Sequence, residues 1–268
     1  MLATGAGAGF ASGLLGIGGG FIIVPVSYWI IQVMGVPQDI AIRIAFGTSL
    51  LVILPTATSG TWRHNKRRAV HWKVGLVLGL FGLIGGFVGA TLASHLAGNI
   101  LEIGLGGVLL AAALWMGLGR RITSKPNKER STEVSSSARD ALWLSAVCGF
   151  PIGIVVGLSG IGGGVMIVPV LALIFHFPMH MAVGTSLASI IFTSLGGIIG
   201  YIVHGIGMSP LPYSIGYINL LIWLCMAATS IPMAQLGANA AHALPAERLR
   251  YLFIAFLVYG GLRMVGVF

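Results

Sequence analysis

"GIGGGFIIVP" occupies residues 16–25, and "GIGGGVMIVP" occupies residues 160–169. Glycine costs about 1 kcal/mol against alanine in a helix interior. Three adjacent glycines, placed twice inside apolar sequence, therefore mark a planned interruption of a helix. The apolar stretches 2–15 and 21–34 flank the first break, and 14 residues of helix span about 21 Å. That is shorter than a hydrocarbon core of about 30 Å, yet long enough to pass its middle. Each motif predicts two half-helices that meet at membrane depth.

The rest of the chain fits that reading. Of its 268 residues, 56% are hydrophobic and 8% charged, with a mean hydropathy of +0.97; a soluble domain carries roughly 25% charged residues. Uncharged runs at 44–62, 74–94 and 181–203 exceed the ~18 residues that mark a span, and 205–241 is longer than one span. The fold class expected is an all-α polytopic membrane protein. No cleavable leader is expected, because no basic segment precedes the first apolar stretch.

A formal charge of +9 reads here as topology rather than as nucleic-acid binding. Arg63, Lys66, Arg67, Arg68 and Lys73 form one cluster; Arg120, Arg121, Lys125, Lys128, Arg130 and Arg139 form another. Two spans, 74–94 and 103–119, separate them, so both clusters can face the cytoplasm as the positive-inside rule asks. The six Trp residues, Trp29, Trp62, Trp72, Trp115, Trp143 and Trp223, mostly suit interface anchors. Cys148 and Cys225 lie in apolar segments and give neither a disulfide nor a metal pattern.

Residues 122–139 are polar and serine-rich and read as a cytoplasmic linker between two repeats, 1–121 and 140–268. Residues 13–30 match 157–174, the run Ala45 to Leu50 matches Ala182 to Leu187, and Gly89-Ala90 matches Gly237-Ala238. Each repeat holds a glycine-broken segment and three full spans. A broken segment that crosses the membrane makes the repeats parallel; a re-entrant one makes them inverted. Inverted repeats place Arg248 and Arg250 inside, as the charge rule prefers, and leave Arg263 outside near a helix end. The inverted arrangement is therefore favoured.

A helix start at membrane depth exposes unpaired N–H groups and a partial positive charge, which suits an anion. The candidate binding residues are Gly16, Gly18, Gly19 and Gly20 with Gly160, Gly162, Gly163 and Gly164. The alternative use of glycine is close packing, as in the series Gly5, Gly9, Gly13. Pro25 and Pro169 stand where they would kink the second half-helices. Thr48, Ser49, Thr185 and Ser186, in the twin GTSL motifs, offer hydroxyl donors to an oxyanion; the competing reading bonds them to their own helix backbone. Arg43 and His180 each lie one helical turn before a GTSL motif and form a possible anion entrance, or else Arg43 reaches to the headgroups. His95, His176, His204 and His242 lie near span ends as interfacial residues, with proton coupling as the alternative for one of them.

Other chemistries find no residues. There is no GxxxxGK[ST] loop and no acidic residue at the spacing a dinucleotide fingerprint needs. The six acidic residues are Asp39, Glu102, Asp140 and Glu247 at segment edges and Glu129 and Glu133 in the linker, so no paired carboxylates serve catalysis or sodium coupling, although backbone carbonyls at the helix breaks could hold a cation. Neither an enzyme nor a bound cofactor or metal is expected.

Taken together, the twin GxGGG…VP segments, the GTSL motifs, the basic loop and the central linker resemble the sulfite exporter TauE/SafE family of membrane transporters, along essentially the whole chain. The resemblance implies movement of a small sulfur-containing anion, sulfite or an organosulfonate, across the bacterial cytoplasmic membrane, with the two motifs as the binding residues. The expected function is thus a secondary transporter whose partners are the anion and the lipid bilayer. A passive anion channel, or an importer, uses the same donors.

Overall fold

A computed structural model of the chain describes residues 1–118 and 138–264. The structure is a helical bundle. In chain order the elements are α1 (Leu2–Leu15), α2 (Gly20–Val33), α3 (Gln38–Lys66), α4 (Trp72–His95), α5 (Gly98–Leu118) and α6 (Ala138–Ser159). They continue with α7 (Gly164–Pro169) and its π-helical extension (Val170–Ile174), α8 (Met179–Gly205), a small hairpin of β1 (Ser214–Ile215) and β2 (Ile218–Asn219), α9 (Leu220–Ala243) and α10 (Ala246–Met264). Of the expected linker, residues 122–137 lie outside the described residues, while Ala138 and Arg139 already belong to α6.

Six helices among the described residues are long and apolar enough to cross a bilayer: α3, α4, α5, α6, α8 and α9. The chain is a multi-pass, all-α membrane protein. Large apolar side chains on α4, α5, α6 and α9, among them Leu80, Ile84, Leu114, Trp143 and Leu224, stay exposed, as a lipid-facing surface requires.

The half-helices come out as 14-residue α1 and α2 on either side of the first break. The second break is less regular. α6 has 22 residues, so it is longer than α1. After Pro169 the chain widens into a π-helical turn, where Phe175 N–H reaches back to the Val170 carbonyl at 3.2 Å. Proline has no N–H to give the preceding turn, which loosens the ladder there. Pro25, at the matching place, stays inside a continuous α2.

Small residues decide the packing. Gly5, Gly9 and Gly13 lay α1 against the backbone of Met226, Ser230 and Ala234 on α9. At the matching positions Gly149, Gly153 and Gly157 lay α6 against Leu78, Gly82 and Gly86 on α4. Without a hydrophobic drive between helices in lipid, this close backbone approach is what holds them. Each half thus packs its first helix on a helix of the other half. α3 and α8 run through the middle and are the most enclosed spans, with 72% and 67% of their apolar windows buried.

Candidate functional site

Both glycine motifs adopt the backbone that their sequence requires. Gly16, Gly18 and Gly19 have φ of 72°, 90° and 80°; Gly160, Gly162 and Gly163 have 65°, 89° and 85°. These left-handed values strain any residue with a Cβ. Gly16 closes α1 by donating its N–H to the Ser12 carbonyl, and Gly19 caps α2 with its carbonyl accepting from Ile22 and Ile23. Gly163 does the same for Met166 and Ile167, both at 2.9 Å. The first N–H groups of α2 and α7 consequently have no partner within their own helices.

The two breaks touch. A Cβ placed on Gly20 would lie 2.6 Å from the Ile161 Cα, and one on Gly164 would strike the Gly16 carbonyl and the Ile17 backbone. All ten residues of 16–20 and 160–164 are buried. Ile53 of α3 lies over both loops, 3.1 Å from a Cβ built on Gly18 and 2.8 Å from one built on Gly162. Ile190 of α8, at the matching repeat position, contacts both at 3.7 and 3.6 Å. Sequence reasoning passed over this isoleucine pair; their shared place after each GTSL motif was the available signal.

The hydroxyls of the GTSL motifs are fully buried and mostly engaged. The Thr48 oxygen accepts the backbone N–H of Asn219 at 3.0 Å, and the Thr185 oxygen accepts that of His71 at 2.9 Å. His71 and Asn219 are in turn the side-chain caps of α4 and α9. Each threonine therefore fixes the start of a span in the other half. Ser186 donates to the Gly16 carbonyl across the halves at 2.9 Å, whereas the Ser49 hydroxyl has no partner among the described residues.

Arg43 and His180 sit in unlike settings. The Arg43 guanidinium donates to the Leu96 carbonyl at 3.0 Å and lies 5.8 Å from the centre of the Tyr217 ring, while its Nε is buried without a partner among the described residues. His180 stacks on His242, with ring centres 5.3 Å apart and planes 20° apart. Two further residues stand at the same distance beyond each GTSL motif. His64 Nε2 meets the Gly13 carbonyl at 2.9 Å, and the Tyr201 hydroxyl donates to the Gly157 carbonyl at 2.7 Å. His95 and His204 bond carbonyls one turn back in their own helices, those of Thr91 and Gly200. Among the described residues no group of His, Cys, Asp or Glu is arranged to hold a metal ion.

Spans that enclose two broken helices, with polar groups gathered around the breaks, are the build of a membrane transporter. Comparison with known proteins agrees. The chain belongs to the family described as Sulfite exporter TauE/SafE, which matches residues 1–264. A probable membrane transporter protein of Methanocaldococcus jannaschii is 31% identical over 96% of this chain and 91% of its own length. One of Haemophilus influenzae is 31% identical over 98% of this chain and 96% of its own. The Bacillus subtilis protein YunE, also a probable membrane transporter, is 31% identical over 74% of this chain and 76% of its own. No solved structure matches. The chain is a membrane transporter rather than an enzyme.

Proposed function

We propose that this chain is a secondary transporter that exports a small sulfur-containing oxyanion, sulfite or an organosulfonate, across the bacterial cytoplasmic membrane. The anion binds near the midplane, between the N-terminal ends of α2 and α7. One observation carries this reading: Gly20 packs on Ile161 and Gly164 on Ile17, so two helix starts abut inside the protein. Each start carries about half a positive charge. Two such ends face to face repel, and a bound anion relieves both. The donors are the amides of Gly18 to Gly20 and Gly162 to Gly164, joined by the Ser49 hydroxyl, while Gly16 and Gly160 give theirs to the Ser12 and Val156 carbonyls and shape the loops. Thr48 and Thr185 contribute as well, since a hydroxyl that accepts one N–H still has a proton to give.

Residues 1–121 and 140–268 form the two repeats, inverted relative to one another, with the linker 122–139 and the basic loops in the cytoplasm. The contact between Gly19 and the Ala8 carbonyl supports this, because it brings the chain back alongside α1 after the break, as a re-entrant hairpin requires. Arg43 and His180 guard the two entrances. Burial of both breaks beneath Ile53 and Ile190 favours alternating access over an open channel.

The membrane potential assists export by about 2.3 kcal/mol per charge per 100 mV. Flux of sulfite, methanesulfonate and sulfate through proteoliposomes tests the proposal. Saturable, protein-dependent efflux of sulfite or sulfonate is expected, and no protein-dependent movement of any anion overturns it.

A further inference from the structure

Three helices bring one histidine each to the same place. His64 of α3 is fully buried; its Nε2 lies 2.9 Å from the Gly13 carbonyl and its Nδ1 lies 3.0 Å from His242 Nε2 on α9. His242 is stacked on His180 of α8, whose Nδ1 is buried with no partner among the described residues. The chemistry assigns the protons. A carbonyl only accepts, so His64 carries its proton on Nε2, and its Nδ1 is left as an acceptor. His242 must then donate from Nε2, which leaves His242 Nδ1 as a free base.

The surroundings limit the cluster to one extra proton. Arg67 stands three residues beyond His64 and reaches the Asn239 side chain, one turn before His242, at 3.5 Å. On α3, Arg63 is occupied by the Asn239 side chain at 2.6 Å, and Lys66 lies over the Trp62 ring. From α1 the facing group is the uncharged Gly13 carbonyl. Glu247 opens α10 beyond His242 and is exposed. A second proton would set two imidazolium rings in contact beside Arg67, so the cluster has room for a single extra proton.

The opposite side of the molecule shows that the cluster is more than a structural tie. There Tyr201 supplies the matching bond, to the Gly157 carbonyl, and Arg43 stands where His180 stands. A phenol and a guanidinium keep their protons throughout the physiological range. The tie needs only a donor, yet at these matching positions one end has imidazoles, which can take up a second proton, where the other has a phenol and a guanidinium; the histidines of that other end, His95 and His204, are each bonded to a carbonyl of their own helix. The imidazole end is bound to α1 one turn before its break at Gly16 and lies one turn before the GTSL motif of α8.

We propose that His64, His242 and His180 form a proton-binding site whose occupancy is coupled to anion transport. This rests on the anion site proposed above. A proton held here adds positive charge near the abutting helix starts, so anion and proton each strengthen binding of the other, and the coupling is reciprocal.

Two measurements on the full chain test it. In lipid nanodiscs without anion, ¹⁵N-histidine spectra from pH 5 to 8 should show the three rings shifting with one common midpoint. His242→Gln should abolish that common transition. Rings that do not change over this range overturn the proton site whatever the flux data show. In proteoliposomes at zero membrane potential, an imposed pH gradient should change methanesulfonate flux at least tenfold in the native protein. It should change flux less than twofold in His242→Gln, whose anion exchange at equal alkaline pH, where the native proton site is empty as well, stays near the native rate. Methanesulfonate is used because it does not itself titrate. A variant that keeps the full gradient response, or native flux indifferent to the gradient, overturns the coupling. Native protein that moves no anion under any gradient overturns the transport reading and the coupling with it, and the spectra alone then decide the proton site.

Discussion

The Ser186 hydroxyl donates to the Gly16 carbonyl at 2.9 Å, so the GTSL segment of one half ties down the helix break of the other. Ser186→Ala leaves that buried carbonyl without its partner, and the loss should be about 1–3 kcal/mol. Thermal unfolding in detergent, compared with the native chain, measures it. Native-like melting of the variant would mean that the tie contributes nothing.

Ser49 gives the opposite expectation. It occupies the same repeat position and is equally buried, but its hydroxyl has no partner among the described residues. Ser49→Ala removes an unsatisfied polar group, so stability should hold or rise slightly. Binding should suffer instead, because that hydroxyl is a donor of the proposed anion site. Calorimetry with methanesulfonate should show roughly fivefold weaker binding, near the 1 kcal/mol of an ordinary hydrogen bond. Unchanged affinity would remove Ser49 from the site.

Gly20 and Gly35 separate close approach from backbone strain. Gly35 has φ 84° but open space around its Cβ position, so Gly35→Ala should cost about 1–2 kcal/mol and leave binding alone. Gly20 has ordinary helical backbone, yet a Cβ there meets the Ile161 Cα at 2.6 Å. Gly20→Ala must push the two breaks apart and should cost about 3 kcal/mol or more, with loss of anion binding. Paired melting and binding measurements on the two variants check this, and equal outcomes would count against the interlocked breaks.

Much of this fold was legible because glycine acts locally. The stretch 2–15 was expected as a half-helix and Leu2–Leu15 is helical; the second was expected at 21–34 and runs Gly20–Val33. Left-handed φ values at Gly18 and Gly19 are a property of those residues and need no tertiary context. The hydroxyls were harder. Thr48 and Thr185 read from sequence as anion donors or as partners of their own helices, and their oxygens accept N–H groups from the starts of α9 and α4. Those partners are far away in the sequence, so no local pattern names them. The length of α6 and the π-turn after Pro169 depend likewise on what surrounds them. The histidine cluster was half visible. His180 and His242 were singled out separately, and only the packing of α3 between α8 and α9 joins them through His64.

Ile53 and Ile190 cover both breaks and so set how large a solute the centre admits. Both are fully buried, and Ile→Val at such a site typically costs 0.5–1.5 kcal/mol. The double variant Ile53→Val, Ile190→Val should therefore stay folded and melt somewhat lower. Its flux of a bulkier sulfonate relative to sulfite should rise severalfold in proteoliposomes. An unchanged ratio would show that the pair does not face the anion.

Tyr201→Phe distinguishes the structural bond from the proton site. The Tyr201 ring is fully buried and its hydroxyl donates to the Gly157 carbonyl at 2.7 Å, as His64 Nε2 does to Gly13. Removing the hydroxyl leaves the Gly157 carbonyl unsatisfied in a dry interior, which should cost about 1–3 kcal/mol. No titrating group is lost, so the response of anion flux to a pH gradient should match that of the native protein. His242→Gln is expected to do the reverse: its half-buried ring leaves the Gly13 tie to His64 intact, while the shared proton loses its base. Melting curves and gradient-driven flux, measured on both variants side by side, should thus move in opposite columns. If Tyr201→Phe also flattens the gradient response, the two glycine ties work as one mechanical pair, and the histidines carry no proton of their own.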